Sequence, residues 1–363
     1  MDNGETTTGP HAPALSVLDH GPVSSGAPLS AALTHSTELA RLAERAGYRR
    51  YWVAEHHSRA WMASSSPAVL LAHVAAATSA IRVGSGALLL SNYSPLAVAE
   101  QFGMLEALHP GRIDLGLGRA AGADAVTAHA LNPARIDFGE AFGQLLGFFH
   151  GTFPEDHPYR SVTAVPGYAN VPLIHLLGSG TYSARLAGQL GLPFAHGGHF
   201  AAPNTAAAIE AYRSSFQPSA VLDAPYVMLS VGVVCAPTDD EAYAINKLAR
   251  HNMIRGLSGV NEPFLSQGEI DRAGEQAAMS LGEAHYVDSV LDTHIVGGPD
   301  TVATGLTNLA ASTGADELIL ATIIYGYEER LRSYALVAEA MGLDGTSERQ
   351  PPAIADGHQV QVG

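Results

Sequence analysis

Three side chains able to move protons or hold a metal stand together in the run Glu55-His56-His57, directly after the apolar stretch Tyr51-Trp52-Val53-Ala54. Histidine ordinarily titrates near neutrality, so a histidine at a strand end can serve as a general acid or base. Two histidines beside a glutamate can also bind a metal. A third reading is structural: polar residues at a strand end simply cap the rim of a sheet. A second run, Arg112-Ile-Asp-Leu-Gly-Leu-Gly-Arg119-Ala-Ala-Gly122, places Gly116, Gly118 and Ala121 at the Gly-x-Gly-x-x-Ala spacing of a dinucleotide fingerprint. That fingerprint needs a helix to open at once. Here Arg119 is followed by a stretch of small, loop-like residues up to Pro133. A slim backbone beside one arginine suits close approach of a flat ring or a phosphate. A tight turn with a surface arginine is the plainer alternative.

Two further runs carry chemistry. Leu177-Gly178-Ser179-Gly180-Thr181-Tyr182-Ser183 links an apolar strand to a helix. Exposed amides at a helix start, with hydroxyls beside them, make an anion site, although Thr181 or Ser183 could serve only as an N-cap. His196-Gly197-Gly198-His199-Phe200 has His-x-x-His spacing but no helical context, so it is a weak metal signature. A pocket wall built from an aromatic ring and flexible glycines is the preferred reading there, and a plain strand-to-helix loop is the rival. His57 joins His196, His199 and Phe200 as candidates for a substrate pocket. A Gly-x-Ser-x-Gly elbow and a Walker sequence are both missing from the chain.

These runs need elements to position them. Eight β-type runs occur: Leu15–His20, Tyr51–Glu55, Ile81–Leu90, Ile113–Gly118, Leu173–Leu177, Pro193–His196, Val227–Cys235 and Leu318–Ile324. Helical stretches lie between most of them. Leu29–Gly47 ends on a glycine suited to a C-cap, Ser66–Ser79 opens on Ser-Pro, and Pro95–Leu108 stops at Pro110-Gly111. Asp239–Leu257 begins with three acids, and Pro299–Ser312 again has proline in its first turn. Strands alternating with helices predict a parallel sheet covered by helices. Eight such units predict a closed (β/α)8 TIM barrel, with an open doubly wound sheet as the rival. The expected domain spans residues 14–343, between disordered tails at 1–13 and 344–363. The long connection Ser258–Gly298, polar and helical in part, is expected to act as a lid.

With 47% hydrophobic and 15% charged residues, the 363-residue chain is expected to build a large core. Its net charge of −16 argues against nucleic acid as a partner. No apolar run is long enough for a membrane span, and the polar, base-free start does not read as a signal peptide, so a cytoplasmic location is expected. Cys235 is the only cysteine, which excludes an intrachain disulfide and a cysteine-based zinc site. No metal is expected.

Taken in order, the motifs resemble the bacterial luciferase-like monooxygenases. The matching stretches are Ala54-Glu-His-His57, Ile81-Arg-Val-Gly-Ser-Gly-Ala-Leu-Leu-Leu90, His109-Pro-Gly-Arg-Ile-Asp-Leu-Gly-Leu-Gly-Arg119, Leu177-Gly-Ser179 and Val296-Gly-Gly-Pro-Asp-Thr-Val302. Ala315-Asp-Glu-Leu-Ile-Leu320 and Arg330-Leu-Arg-Ser-Tyr334 resemble the family's last strand and helix. The resemblance implies a barrel that binds reduced FMN at its C-terminal face. It implies that His56 is the active-site histidine, with Glu55 as a second catalytic candidate. Ser85-Gly86-Ala87 is similar to the segment beneath the flavin ring, where relatives often have a cis non-proline bond. Arg119, Ser179 and Tyr182 resemble the phosphate-side residues, and Arg135 a second phosphate arginine. Where luciferases carry a cysteine before the arginine, this chain has Gly118.

The implied reaction is two-component. A separate flavin reductase supplies reduced FMN, O2 is activated as a flavin 4a-hydroperoxide, and a small organic substrate such as a natural-product intermediate is oxygenated. A homodimer is implied as well. A deazaflavin-dependent dehydrogenase of the same fold, a non-catalytic flavin-binding protein, a nicotinamide dehydrogenase using Gly116–Ala121 and a metal hydrolase using His56, His57, His196 and His199 are the competing readings.

Overall fold

A computed structural model describes residues 13–120, 122–132, 136–273 and 289–343. Its strands are β1 (Ala14–Asp19), β2 (Arg50–Val53), β3 (Arg82–Ser85), β4 (Leu88–Leu89), β5 (Ile113–Gly118), β6 (Leu173–Gly178), β7 (Phe194–His196), β8 (Val227–Cys235), β9 (Ile295–Gly297) and β10 (Glu317–Ala321). All pair in parallel, and β10 bonds to both β1 and β8. The sheet therefore closes. The eight expected runs become the eight staves of a (β/α)8 barrel, and the open-sheet rival is excluded. Strands buried on both faces read as continuous apolar runs, and all nine residues of β8 are buried.

The described helices are α1 (Leu29–Arg45), α2 (Pro67–Ala77), α3 (Pro95–Leu108), α4 (Ala125–Leu131), α5 (Phe138–His150), α6 (Thr181–Gln189), α7 (Gly198–Ala201), α8 (Thr205–Ser215), α9 (Asp239–Leu257), α10 (Gln267–Ala273), α11 (Pro299–Thr313) and α12 (Tyr327–Ala340). Prolines open α2, α3 and α11, where a missing N–H costs nothing. In α9 the Thr238 hydroxyl accepts from the Glu241 amide, and the three acids sit in the first turn.

Three local expectations need correction. The run Ile81–Leu90 is not one strand: β3 ends at Ser85, the Gly86–Ala87 peptide is cis, and β4 resumes at Leu88. The stretch after Arg119 is not all loop. Asp124 accepts from the Val126 and Thr127 amides and starts α4. The long connection 258–298 is helical in part, as expected, through α10, but it also contains the unexpected short strand β9, which extends the pairing of β8 beyond the barrel.

A buried layer of charge plugs the barrel at the N-terminal ends of its strands. Arg50, 2% exposed, donates to Glu317 at 2.8 Å and to Asp114 at 2.9 Å. Arg82 holds the other Asp114 oxygen through two nitrogens, at 2.9 and 2.6 Å. Trp52 Nε1 donates to Asp114 at 2.9 Å, and the Tyr226 hydroxyl donates to Glu317 at 2.7 Å. The layer fits because β3 carries a glycine beside it. A Cβ on Gly84 would stand 2.5 Å from the Asp114 Cβ and 2.8 Å from Trp52 Nε1.

Candidate active site

A cavity of ≈ 560 Å³ opens at the C-terminal ends of the strands. Leu18, Trp52, Ala195 and Ile319 line it and belong to one buried apolar cluster. Trp52 thus joins the cavity to the ionic layer through Asp114. In a barrel of this kind, strand C-termini and the loops after them carry the chemistry.

One side of the cavity is slim and polar. Gly86, Ala87 and Gly118 line it, next to Arg119 and to the run Gly178–Ser183 at the start of α6. Gly180 occupies the N-cap of α6 and supplies no side-chain bond, so the first-turn amides remain available to an anion. The Arg119 guanidinium carbon lies 4.7 Å from the centroid of the Tyr182 ring, and both side chains are exposed at the cavity mouth. The Thr181 and Ser183 capping alternatives are therefore not realised.

The opposite side is a wall of histidines. His20, at the end of β1, packs 5.5 Å from His56 and 5.4 Å from His199, ring centroid to ring centroid. His196 and Phe200 continue the wall. The His199 ring lies 2.7 Å from the Ser230 hydroxyl. Burial holds these imidazoles neutral. It depresses His56 to about 4, helped by the neighbouring charges of Arg59 and His57. It depresses His199 to about 3, helped by His294 and His56. His196 is lowered by burial as well, and His20 well below its ordinary range. A wall of this kind can accept a proton briefly or share hydrogen bonds with a neutral group, but it does not present a standing positive charge.

Glu55 lies between the two sides, and its carboxylate is fully engaged. One oxygen accepts from the Leu89 amide at 2.9 Å, and the other faces Asn92 Nδ2 at 2.9 Å and His57 Nε2 at 2.8 Å. Burial pushes its pKa up, against the pull of these donors. Glu55 thereby anchors the segment after the cis peptide to the end of β2.

The sequence candidates distribute as follows. Glu55, His56, Gly86, Ala87, Arg119, Ser179, Tyr182, His196, His199 and Phe200 all line the cavity. His57 is not among its lining residues, because its ring turns to Glu55. Ser85 is buried away from it, with its hydroxyl donating to the Gly116 carbonyl at 2.9 Å. Arg135 and Ala121 lie outside the described residues. His20 and Ser230 were not singled out in the sequence. His20 closes an apolar run; the pairing of β1 with β2 brings it to His56, and the closed barrel brings it to His199. Among the described residues, no group of three or more His, Cys, Asp or Glu side chains is placed to hold a metal ion.

The part of the Ser258–Gly298 connection that is described crosses the loops beside this wall. Phe264 stacks on Trp61 with centroids 5.5 Å apart. Its amide donates to Val23 at 2.8 Å, and its carbonyl accepts from Ser25 at 2.8 Å. Residues 274–288 of the expected lid lie outside the described residues.

The family model for luciferase-like monooxygenases matches residues 14–317. The chain belongs to the luciferase-like monooxygenase family. A luciferase-like monooxygenase of Escherichia coli strain K12 is 39% identical over 333 residues, covering 90% of this chain and 96% of the relative. The N-acetyl-S-alkylcysteine monooxygenase of Bacillus subtilis strain 168 is 33% identical over 335 residues, with 90% and 98% covered. The crystal structure of apo-MsnO8 superposes with a TM-score of 0.83 at 39% identity, covering 92% of this chain and 98% of that one. Relatives named monooxygenases at this similarity place the chain among the flavin-dependent monooxygenases. In this luciferase-like barrel, Gly118 stands directly before Arg119 at the slim side of the cavity.

Proposed function

We propose that the chain is the oxygenase component of a two-component system. It would take reduced FMN from a separate flavin reductase and use O2 to oxygenate a small organic substrate. The observation that carries this reading is the pairing of an uncapped helix start with Arg119 on one side of the cavity and a neutral histidine wall on the other. The first suits the phosphate of FMN. The strip Gly86-Ala87 and Gly118 leaves room for a flat ring between the two sides. Bound reduced FMN supplies the electrons that activate oxygen. The residues of the chain then bind, orient and shield. Arg119, Ser179 and Tyr182 hold the phosphate end. Glu55 fixes the segment under the ring. His56 holds or moves a proton at its ring nitrogen, and Leu18, Trp52 and Ile319 keep water from the floor.

The test is stopped-flow mixing of the protein with reduced FMN and then with oxygen, beside an Arg119→Ala variant. Reoxidation kinetics distinct from free FMN are expected. Loss of charge-assisted bonds of about 1.5–3 kcal/mol should weaken FMN binding by roughly tenfold to a hundredfold. Riboflavin, which has no phosphate, should bind both proteins alike. Reoxidation identical to free FMN, with tight binding of a deazaflavin instead, would replace the reading by a dehydrogenase.

The homodimer has its own support. The outer faces of α2 and α3 are rich in apolar residues, with Val69, Met104 and Leu108 exposed among few polar ones such as His73 and Gln101. A helix that is hydrophobic all round is normally buried. Light scattering should give twice the chain mass, and Val69→Asp with Leu108→Asp should halve it. A monomeric wild type would remove this part of the proposal.

A further inference from the structure

Behind the histidine wall lies a second chamber of ≈ 190 Å³. His20, His56, His199 and Phe200 line both spaces, so the wall is a partition with a cavity on each side. The far side is mostly apolar: Val233, Ala249, Met253, Leu291, Ala321 and Ile323 contribute to it. Trp61 and His294 add two rings. The His294 ring lies against the backbone of β8 at Gly232, where a Cβ would come within 2.4 Å of it. The glycine therefore admits the imidazole to the chamber.

Three nitrogens of residues around this chamber, Trp61 Nε1, His56 Nδ1 and His20 Nδ1, are buried without a hydrogen-bond partner and face packed protein rather than open space. Trp61 itself is only 7% exposed. Charge in the chamber is balanced. His20, His56, His199 and His294 are all held towards the neutral form by burial. Arg250, at the edge, is paired with Asp292 at 3.2 Å. An anion placed here would lose its hydration without gaining an uncommitted cation. An apolar cavity of about 150 Å³ takes a benzene ring, so this chamber has room for one ring with a short side chain.

We infer that the chamber binds the uncharged, mainly apolar end of the substrate, a group about the size of one substituted ring. The histidine partition then separates this end from the flavin side of the site. That the bound molecule is the one oxygenated rests on the monooxygenase reading; the binding itself does not.

Trp52 lines the main cavity, Trp61 lines the chamber, and the sequence has no other tryptophan. Protein labelled with fluorotryptophan therefore carries one reporter in each space, assigned with Trp61→Phe. Acetophenone and benzoate are the probes, alike in size and different in charge. Acetophenone should shift the Trp61 fluorine resonance saturably, and benzoate should not. FMN should shift that of Trp52. Ala249→Phe, which fills the chamber, should weaken acetophenone at least about tenfold and leave the FMN response in place. Met253→Phe serves the same purpose from a half-buried position if Ala249→Phe does not fold. Equal binding of benzoate, an acetophenone response at Trp52 alone, or unchanged acetophenone affinity in a folded filled variant would overturn the inference. An acetophenone response at Trp61 without any FMN response would uphold the chamber and reject the flavin reading.

Discussion

Arg50→Met will be among the most destabilising single substitutions in this protein, with an expected loss of about 3–5 kcal/mol in unfolding free energy, because it strands buried carboxylates without their cation. Arg50 bridges Glu317 and Asp114 inside the N-terminal end of the barrel, and neither carboxylate has solvent to fall back on. Asp114 keeps Arg82, but Glu317 is left with Arg49 at 3.9 Å and with hydroxyl donors. Urea unfolding at neutral pH measures the loss. The double variant Arg50→Met with Glu317→Gln should recover part of it, since removing both charges costs less than removing one. A single variant within about 1 kcal/mol of wild type would show that the layer contributes little.

The same layer sets the acid limit. Burial alone would raise the pKa of Asp114, but Arg82 and Arg50 outweigh it and hold the carboxyl well below the usual carboxylate range. Glu317 is likewise pushed up by burial and pulled down further by Arg50 and Arg49. A group whose folded pKa is depressed stabilises the fold above its unfolded pKa, and that stabilisation is lost as pH falls through the folded value. For these carboxylates the loss therefore begins below about pH 4. Without Arg50 their folded pKa values rise, so Arg50→Met should unfold at a higher pH than wild type as acid is added.

Much of the fold is legible in the sequence because a parallel barrel writes itself as alternating apolar runs and helical stretches. The exceptions have local causes. The apolar pattern from Ile81 to Leu90 hides the break at Gly86–Ala87, since Leu88 and Leu89 continue it, and the cis bond there is signalled only by the family resemblance. Three residues, Ile295–Gly297, are too few to register as a strand, and β9 exists because the end of β8 outruns the barrel and offers an edge. The site shows the same division. Arg119 and the α6 start announce themselves by composition, whereas His57 and Ser85 sit beside lining residues but point elsewhere. In an extended chain, neighbours face opposite sides. His20 has no motif at all. Its place beside His56 follows from the pairing of β1 with β2, and its place beside His199 from the curvature of the barrel, neither of which a local pattern reports.

His56→Ala should separate binding from chemistry. FMN affinity is expected to stay within about twofold of wild type, because the residues assigned to the phosphate lie across the cavity, while the oxygenation rate falls by about 10²–10⁴, the usual range for a positioned acid or base. The fraction of oxidised flavin that yields product, against peroxide, is the readout. Burial holds His56 at about 4, so the wild-type imidazole is neutral throughout the physiological range. The rate should then show no His56 inflection between about pH 6 and pH 8, where an ordinary histidine would titrate. A neutral imidazole flanked by Arg59 and His57 takes a proton only against repulsion, and it gives that proton up readily. This suits a group that receives a proton during oxygen transfer and returns it in the same turnover. His56→Gln, which keeps a hydrogen-bonding group but cannot shuttle a proton, should be nearly as impaired as His56→Ala. Recovery of most of the activity in His56→Gln would assign the residue to positioning, and full coupling in His56→Ala would move the proton-handling role to His20 or His199.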